Sequence, residues 1–307
     1  MRYVVGYSAN ARGHDAVNLA ISLARGRGAS LDLVLVVPEV SQFGAAHAPK
    51  AGFENLLNEQ AREWLDEALA LVPADVPAEA HVRSGDSEAH ALIDATEELH
   101  AEMLIIGAAS SGLFKRFTVG SVASALLHAA SVPVALAPHG YHRQEALTRL
   151  SCGLGTRAGA EKLLDVAVEM AAQRKVPLRV VSLLALDGGD SPVAAEAARE
   201  YAAKHVAAAA GSPSGARPAI QADVVVAQGR SIEEAVDRLD WEDGEVLLIG
   251  SSRLARNRSI FLGSTASRIL RALPVPMIVV PGDYESKHEP DGSTHSTTND
   301  PSGEAHQ

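Results

Sequence analysis

Short runs of consecutive apolar residues alternate along this chain with stretches whose apolar residues recur every three or four positions. In the first half, residues 4–7, 31–37, 103–106 and 134–137 are such runs, and 80–83 is a weaker one. Apolar residues at successive positions suit strands buried on both faces, as in a parallel sheet. Between the runs lie helical patterns. Ala16-Val17-Asn18-Leu19-Ala20 opens one, and Phe53, Leu57, Trp64, Ala68 and Leu71 are expected to mark the inward face of another. The second half repeats the order. Gly6 and Gly153, like Ala16 and Leu163, lie 147 positions apart, and Pro133 and Pro276 lie 143 apart, so the second copy is four residues shorter in its middle. Ser231 and Glu234 form a capping box before the third helix of that copy. Five alternating β and α units per copy predict a doubly wound parallel sheet, twice over.

The length of 307 residues suits two such domains. Residues 1–138 form the first, 139–148 a linker, 149–281 the second and 282–307 a disordered tail without apolar periodicity. Apolar residues make up 47% of the chain but aromatics only 4%, so the cores are built from Val, Leu, Ile and Ala. The formal charge of −11 argues against nucleic acid and anionic membranes as partners. The single cysteine, Cys152, excludes an internal disulfide and a cysteine-based zinc site, and its apolar setting reads as core. The N-terminus is strand-like rather than a signal peptide, and no apolar run is long enough to cross a bilayer, which points to the cytoplasm.

The candidate chemistry lies in two matching loops. Ile106-Gly107-Ala108-Ala109-Ser110 is followed by nine residues and then Gly120-Ser121. Ile249-Gly250-Ser251-Ser252-Arg253 is followed by nine and then Gly263-Ser264. Each follows a predicted strand and opens a predicted helix, over 122–130 and 265–272. Ligands of such sheets bind at the carboxyl ends of the strands. A glycine there lets backbone approach a phosphate, and a helix N-terminus supplies free N–H groups and the positive end of its dipole. The alternative reading of Ser121 and Ser264 is plain N-capping with no ligand.

These loops resemble the universal stress protein family, whose pattern is Gly, two residues, Gly, nine residues, then Gly-Ser or Gly-Thr. The terminal strands, Val134-Ala135-Leu136-Ala137 and Met277-Ile278-Val279-Val280, are also similar to that family. The resemblance implies two tandem five-stranded parallel-sheet domains of the adenine-nucleotide alpha-hydrolase-like kind. It implies ATP or a related adenine nucleotide over Gly107, Gly120 and Ser121 or over Gly250, Gly263 and Ser264. Val36 and Leu183, at the ends of the second strands, would touch the adenine. It further implies an intramolecular pseudo-dimer through the fifth strands, and it is compatible with a homo-oligomer.

Both copies depart from the pattern. The middle glycine is Ser110 in one and Arg253 in the other, and the acid that usually ends the first strand is Ser8 or Gly155. Arg253, Arg256 and Arg258, or Lys115 and Arg116, can pair with phosphate instead, or form a solvated face. The first copy is favoured slightly, because Arg253 also fills space that a nucleotide needs. Two readings stay open: a non-enzymatic stress-response protein that binds adenine nucleotide, and a nucleotide-free interaction protein of the same fold. The Gly153-Leu154-Gly155 turn with Gly159, and Asp187 beyond, only weakly suggests a dinucleotide. His81, His90, His100 and His128, like the tail histidines, are too scattered for a metal site, and no residue pair points to catalysis.

Overall fold

Val4 and Val5 are both fully buried, yet they belong to cores on opposite sides of the sheet. That is what successive apolar residues in a strand covered on both faces require. The computed structural model describes residues 1–39, 50–110, 117–118, 120–155, 159–186, 190–210, 222–251, 263–282 and 284. The first half runs β1 (Arg2–Tyr7), α1 (Ala11–Arg25), β2 (Ser30–Pro38), α2 (Lys50–Ala70), β3 (Ala78–Gly85), α3 (Glu88–Glu98) and β4 (Met103–Gly107). A small hairpin follows, β5 (Ala109–Ser110) and β6 (Phe117–Thr118), then α4 (Ser121–Ala129) and β7 (Val134–Ala137). The second half runs β8 (Arg149–Gly153), α5 (Ala160–Arg174), β9 (Leu178–Ala185), α6 (Pro192–Ala210) and β10 (Ala222–Gly229). It ends with α7 (Ile232–Asp237), β11 (Glu245–Gly250), α8 (Ser264–Ala272) and β12 (Met277–Val280).

The strands make one ten-stranded sheet in the order β10-β9-β8-β11-β12-β7-β4-β1-β2-β3. Within each half the pairing is parallel. The two halves meet where β12 pairs antiparallel with β7, Ile278 opposite Ala135. Each of these strands would otherwise be an apolar edge, and each covers the other. Core residues of α1, α2, α5 and α6 share one cluster, and those of α3, α4, α7 and α8 share the other. Equivalent helices therefore lie on the same face, related by a pseudo-twofold axis normal to the sheet. Because the halves run antiparallel, their carboxyl edges lie on opposite sides of the molecule. Among the described residues no helix is long and apolar enough to cross a membrane.

Two readings of the sequence need correction. The inward residues of α2 are Ala61, Leu65 and Ala68, whereas Trp64 and Leu71 are each 37% exposed. The expected face is rotated because alanines carry much of the contact; the side chain of Phe53 lies outside the described residues. The second correction concerns the segment read as tail. Tyr284 packs against the core cluster that holds α1 and α5, and its hydroxyl pKa is pushed up to about 12, chiefly by burial. Tyr141 does the same in the first half, with its carbonyl accepting from Asn18 Nδ2 at 3.0 Å. Both sit in a Pro-x-x-Tyr turn, closed by Tyr141 N–H to Pro138 O and Tyr284 N–H to Pro281 O at 3.2 Å each. Replacing Tyr284 by Ala should therefore lower stability by about 1–2 kcal/mol, the loss of a partly buried aromatic. A chemical denaturation midpoint equal to wild type would show that the contact carries nothing. The remaining residues of the expected tail, with His288, His295 and His306, lie outside the described set.

The segment 139–148 is tied along α1. Ser22 Oγ donates to Arg143 O at 2.9 Å, Arg25 Nη1 donates to Gln144 O at 2.8 Å, and Gly140 N–H donates to Asp15 Oδ2 at 3.0 Å. Cys152 is fully buried in β8, and burial raises its thiol pKa to about 12, which fits an inert core residue.

Charged side chains are buried at the amino edge of each half. Asp32 takes both arms of Arg2, at 2.8 and 2.6 Å, and also His81 Nε2 at 2.8 Å. The equivalent position in β9 is Arg179, which donates to Glu245 at 2.6 Å beside Arg149, also at 2.6 Å. The Arg179 guanidinium lies 4.7 Å from the Trp241 ring centroid. Both halves bury a charge at the same place, with opposite sign.

Candidate functional site

The carboxyl edge of the first half is assembled by the starts of α1, α3 and α4. The helices differ in how their free N–H groups are met. Asn10 caps α1 and Ser87 caps α3. In the second half Ser231 Oγ accepts from Glu234 N–H at 3.1 Å at the start of α7. The Glu234 carboxylate reaches back to Arg230 N–H at 2.8 Å, one residue beyond the usual partner in a capping box.

No such cap serves α4 or α8. Their N-caps are Gly120 (φ −69°, ψ 170°) and Gly263 (φ −65°, ψ 168°), with no side-chain hydrogen bond. Ser121 and Ser264 are the first helical residues and both are exposed. The capping reading of these serines is thus ruled out. Two nine-residue helices begin at the carboxyl edges with their first N–H groups free of any side-chain cap.

The long spacing between the glycines has a local explanation. Ala109 pairs with Thr118 and Ser110 with Phe117. This hairpin returns the chain, so that Gly107 and Gly120 flank its open end. Ser110 lies in β5, and its side chain is outside the described set. So are Lys115, Arg116, Asp187, Arg253, Arg256 and Arg258.

The two leading glycines are not equivalent. A Cβ on Gly107 would lie 2.1 Å from Arg12 O, because the first turn of α1 crosses the end of β4. Gly13 is pressed likewise, with a Cβ falling 1.9 Å from Ser8 O. Helix packing therefore accounts for Gly107 without a phosphate. Gly250 is exposed, and a Cβ there would find its nearest neighbour, Leu163 Cδ2, at 3.7 Å. Gly107→Ala should cost about 1–3 kcal/mol through overpacking against backbone, and Gly250→Ala less than about 0.5 kcal/mol. Thermal melts of the two variants check this, and equal shifts would contradict it.

Ser8 Oγ is 3.2 Å from Asn10 Oδ1, the atom that caps α1, so it is already engaged at the place expected to hold ribose. Gly155 is exposed and offers only backbone. Val36 and Leu183 are half-buried near the ends of β2 and β9, packed on the cluster that also holds α4 and α8. The first half thus gathers Ser8, Gly107 and the start of α4 around α1. The second presents Gly155, Gly250 and the start of α8 in more open surroundings.

Three residues at these edges escaped the sequence reading. Ser251 follows Gly250 directly, and its Oγ is buried without a hydrogen-bond partner. Such an orphan costs about 1–3 kcal/mol and calls for a reason. Its place within the motif was a usable signal. Arg12 and Glu88 come together only through tertiary packing. Desolvation raises the Glu88 carboxyl above its ordinary value, and the Arg12 charge opposes the rise.

Asp32, Glu79 and His81 bring three ligand-type atoms within 4.8 Å of one another at the opposite, amino edge. Arg2 already occupies both oxygens of Asp32 and also reaches Glu79 at 3.1 Å, so the group is satisfied as an ion network.

Comparison with known proteins agrees with this geometry. The profile of the Universal stress protein family matches residues 1–138 and 149–281. Universal stress proteins of Mycobacterium tuberculosis and Mycobacterium bovis are each 32% identical over 295 residues, spanning 92% of this chain and 100% of theirs. The crystal structure of a universal stress protein from Archaeoglobus fulgidus superposes with a TM-score of 0.68 at 17% identity, over 92% of this chain and 98% of that one. At that identity it speaks for the fold alone.

Proposed function

Since this chain belongs to the universal stress protein family, we propose that it is a non-enzymatic, cytoplasmic stress-response protein that binds ATP or a related adenine nucleotide in one or both halves. The observation that carries this reading is the pair of glycine-started helices, α4 and α8, left without a side-chain cap while α1, α3 and α7 have one. Free N–H groups and the positive helix end form an anion site for phosphate oxygens. Val36 or Leu183 would lie under the adenine, and the Ser121 or Ser264 hydroxyl would add a donor. The open space at Gly250 and the unpartnered Ser251 Oγ favour occupancy of the second half. This reverses the slight preference for the first half that the sequence suggests, while the place of Arg253 stays outside the described residues.

Other observations favour the second reading, a nucleotide-free interaction protein. Ser8 is engaged by Asn10, Gly155 has no side chain to offer, and Gly107 is explained by Arg12. Mass spectrometry of small molecules released by denaturing protein purified without added nucleotide separates the two. An adenine nucleotide in near-stoichiometric amount supports binding. Its absence, together with no heat on titration with millimolar ATP, leaves the interaction protein.

A further inference from the structure

We propose that Arg268, from the second half, is a phosphate-contacting residue of the first half's site; the proposal rests on the nucleotide reading above. The β6 strand immediately precedes the α4 N-cap Gly120, and it packs against α8 of the other half. The antiparallel seam brings this about. Residues 273–276 lead from the end of α8 to Met277, which is paired with Leu136, and the neighbouring Ala137 pairs with Gly107. The C-terminal end of α8 thus lies on the side of the sheet where the first half's strands end.

The helical wheel of α8 shows which arginine faces that loop. Ile269 and Leu270 are buried towards the sheet. Arg271 leans to α7, with Nη2 3.7 Å from Glu233 Oε1. The flank opposite α7 faces β6. At about 100° per residue, Arg268 sits roughly 60° round the helix from Arg271, towards that flank. Arg268 is exposed and has no hydrogen bond or ion pair among the described residues. Its guanidinium is a free cation on a long stem, suited to pair with a phosphate oxygen pair. The equivalent residue of α4 is Ala125, so the second half's loop receives no matching arginine in return. The two sites therefore differ by one charge supplied across the seam.

The test uses full-length protein carrying Ser264→Asp, which places a negative charge at the start of α8 and repels phosphate there while suiting the helix dipole. Calorimetric titration with ATP then reports the first half. Adding Arg268→Ala should weaken ATP binding roughly tenfold to a hundredfold, the range for a charge-assisted hydrogen bond. Arg268→Lys should recover part of it, adenosine binding should not change, and Arg271→Ala should match its parent. Equal ATP affinity with and without Arg268 overturns the proposal while leaving nucleotide binding intact. So does wild-type binding that Ser264→Asp abolishes, since the first half would then hold no ligand. No binding in the wild type removes the nucleotide reading itself, and this proposal with it.

Discussion

Replacing Ile278 by Asp is expected to leave no folded protein at 25 °C. Ile278 is fully buried in β12, opposite Ala135 of β7, in the cluster that contains residues of both halves. Removing a buried Ile side chain costs about 2–5 kcal/mol, and burying an unpaired carboxylate adds several more. A domain's whole stability is about 5–15 kcal/mol. The loss should not stay within one half, because each half would regain a bare apolar edge. Far-ultraviolet circular dichroism of the variant should show neither half folded. A variant that keeps half its helical signal and one cooperative transition would show that the halves are stable separately.

The second large effect is expected at Glu245, whose side chain is 0% exposed and accepts from Arg149, Arg179 and Ser151. Glu245→Ala strands two guanidinium groups at the base of the second half, and removing one partner of a buried pair costs about 3–5 kcal/mol. The sharper version is a cycle. Arg179→Met alone should also destabilise, yet the double variant should be less damaged than the sum of the single ones, because fewer charges are left without a partner. Urea titrations of the four proteins measure this. Additive losses would mean that the two side chains contribute independently.

The repeat, the strand order within each half and the seam between halves were legible because each rests on local pattern. Runs such as Leu104-Ile105-Ile106 and Val134-Ala135-Leu136 have few alternatives to a strand covered on both faces. The face of α2 was misjudged because large residues drew the eye, while Ala61 and Ala68 make the closer contact with the sheet. Tyr284 was assigned to the tail because the acidic composition beyond it dominated. The Pro138-x-x-Tyr141 repeat, 143 positions earlier, was the signal that could have kept it in the fold. The paired charges were not legible at all. Asp32 and Arg179 occupy matching strand positions with opposite sign, and each is explained only by partners far away in sequence.

The candidate site divides in the same way. The spacing of Gly107 to Gly120 and of Gly250 to Gly263 located both loops, and the uncapped starts of α4 and α8 follow from glycine at the N-cap. What the spacing did not carry was the reason for each glycine. Gly107 and Gly250 hold the same place in the motif, but only the first is pressed by another backbone. That difference depends on how α1 and α5 enter, where the sequences Asn10-Ala11-Arg12 and Arg157-Ala158-Gly159 diverge.

The central claim is that phosphate sits at the free ends of α4 and α8. Calorimetric titration of ATP into the wild type, Gly120→Val, Gly263→Val and the double variant tests it most directly. The account predicts binding in the wild type, loss of the corresponding site in each single variant, and no binding in the double variant. A double variant that binds ATP as tightly as the wild type would contradict it, because the nucleotide would then lie somewhere other than these two helix starts.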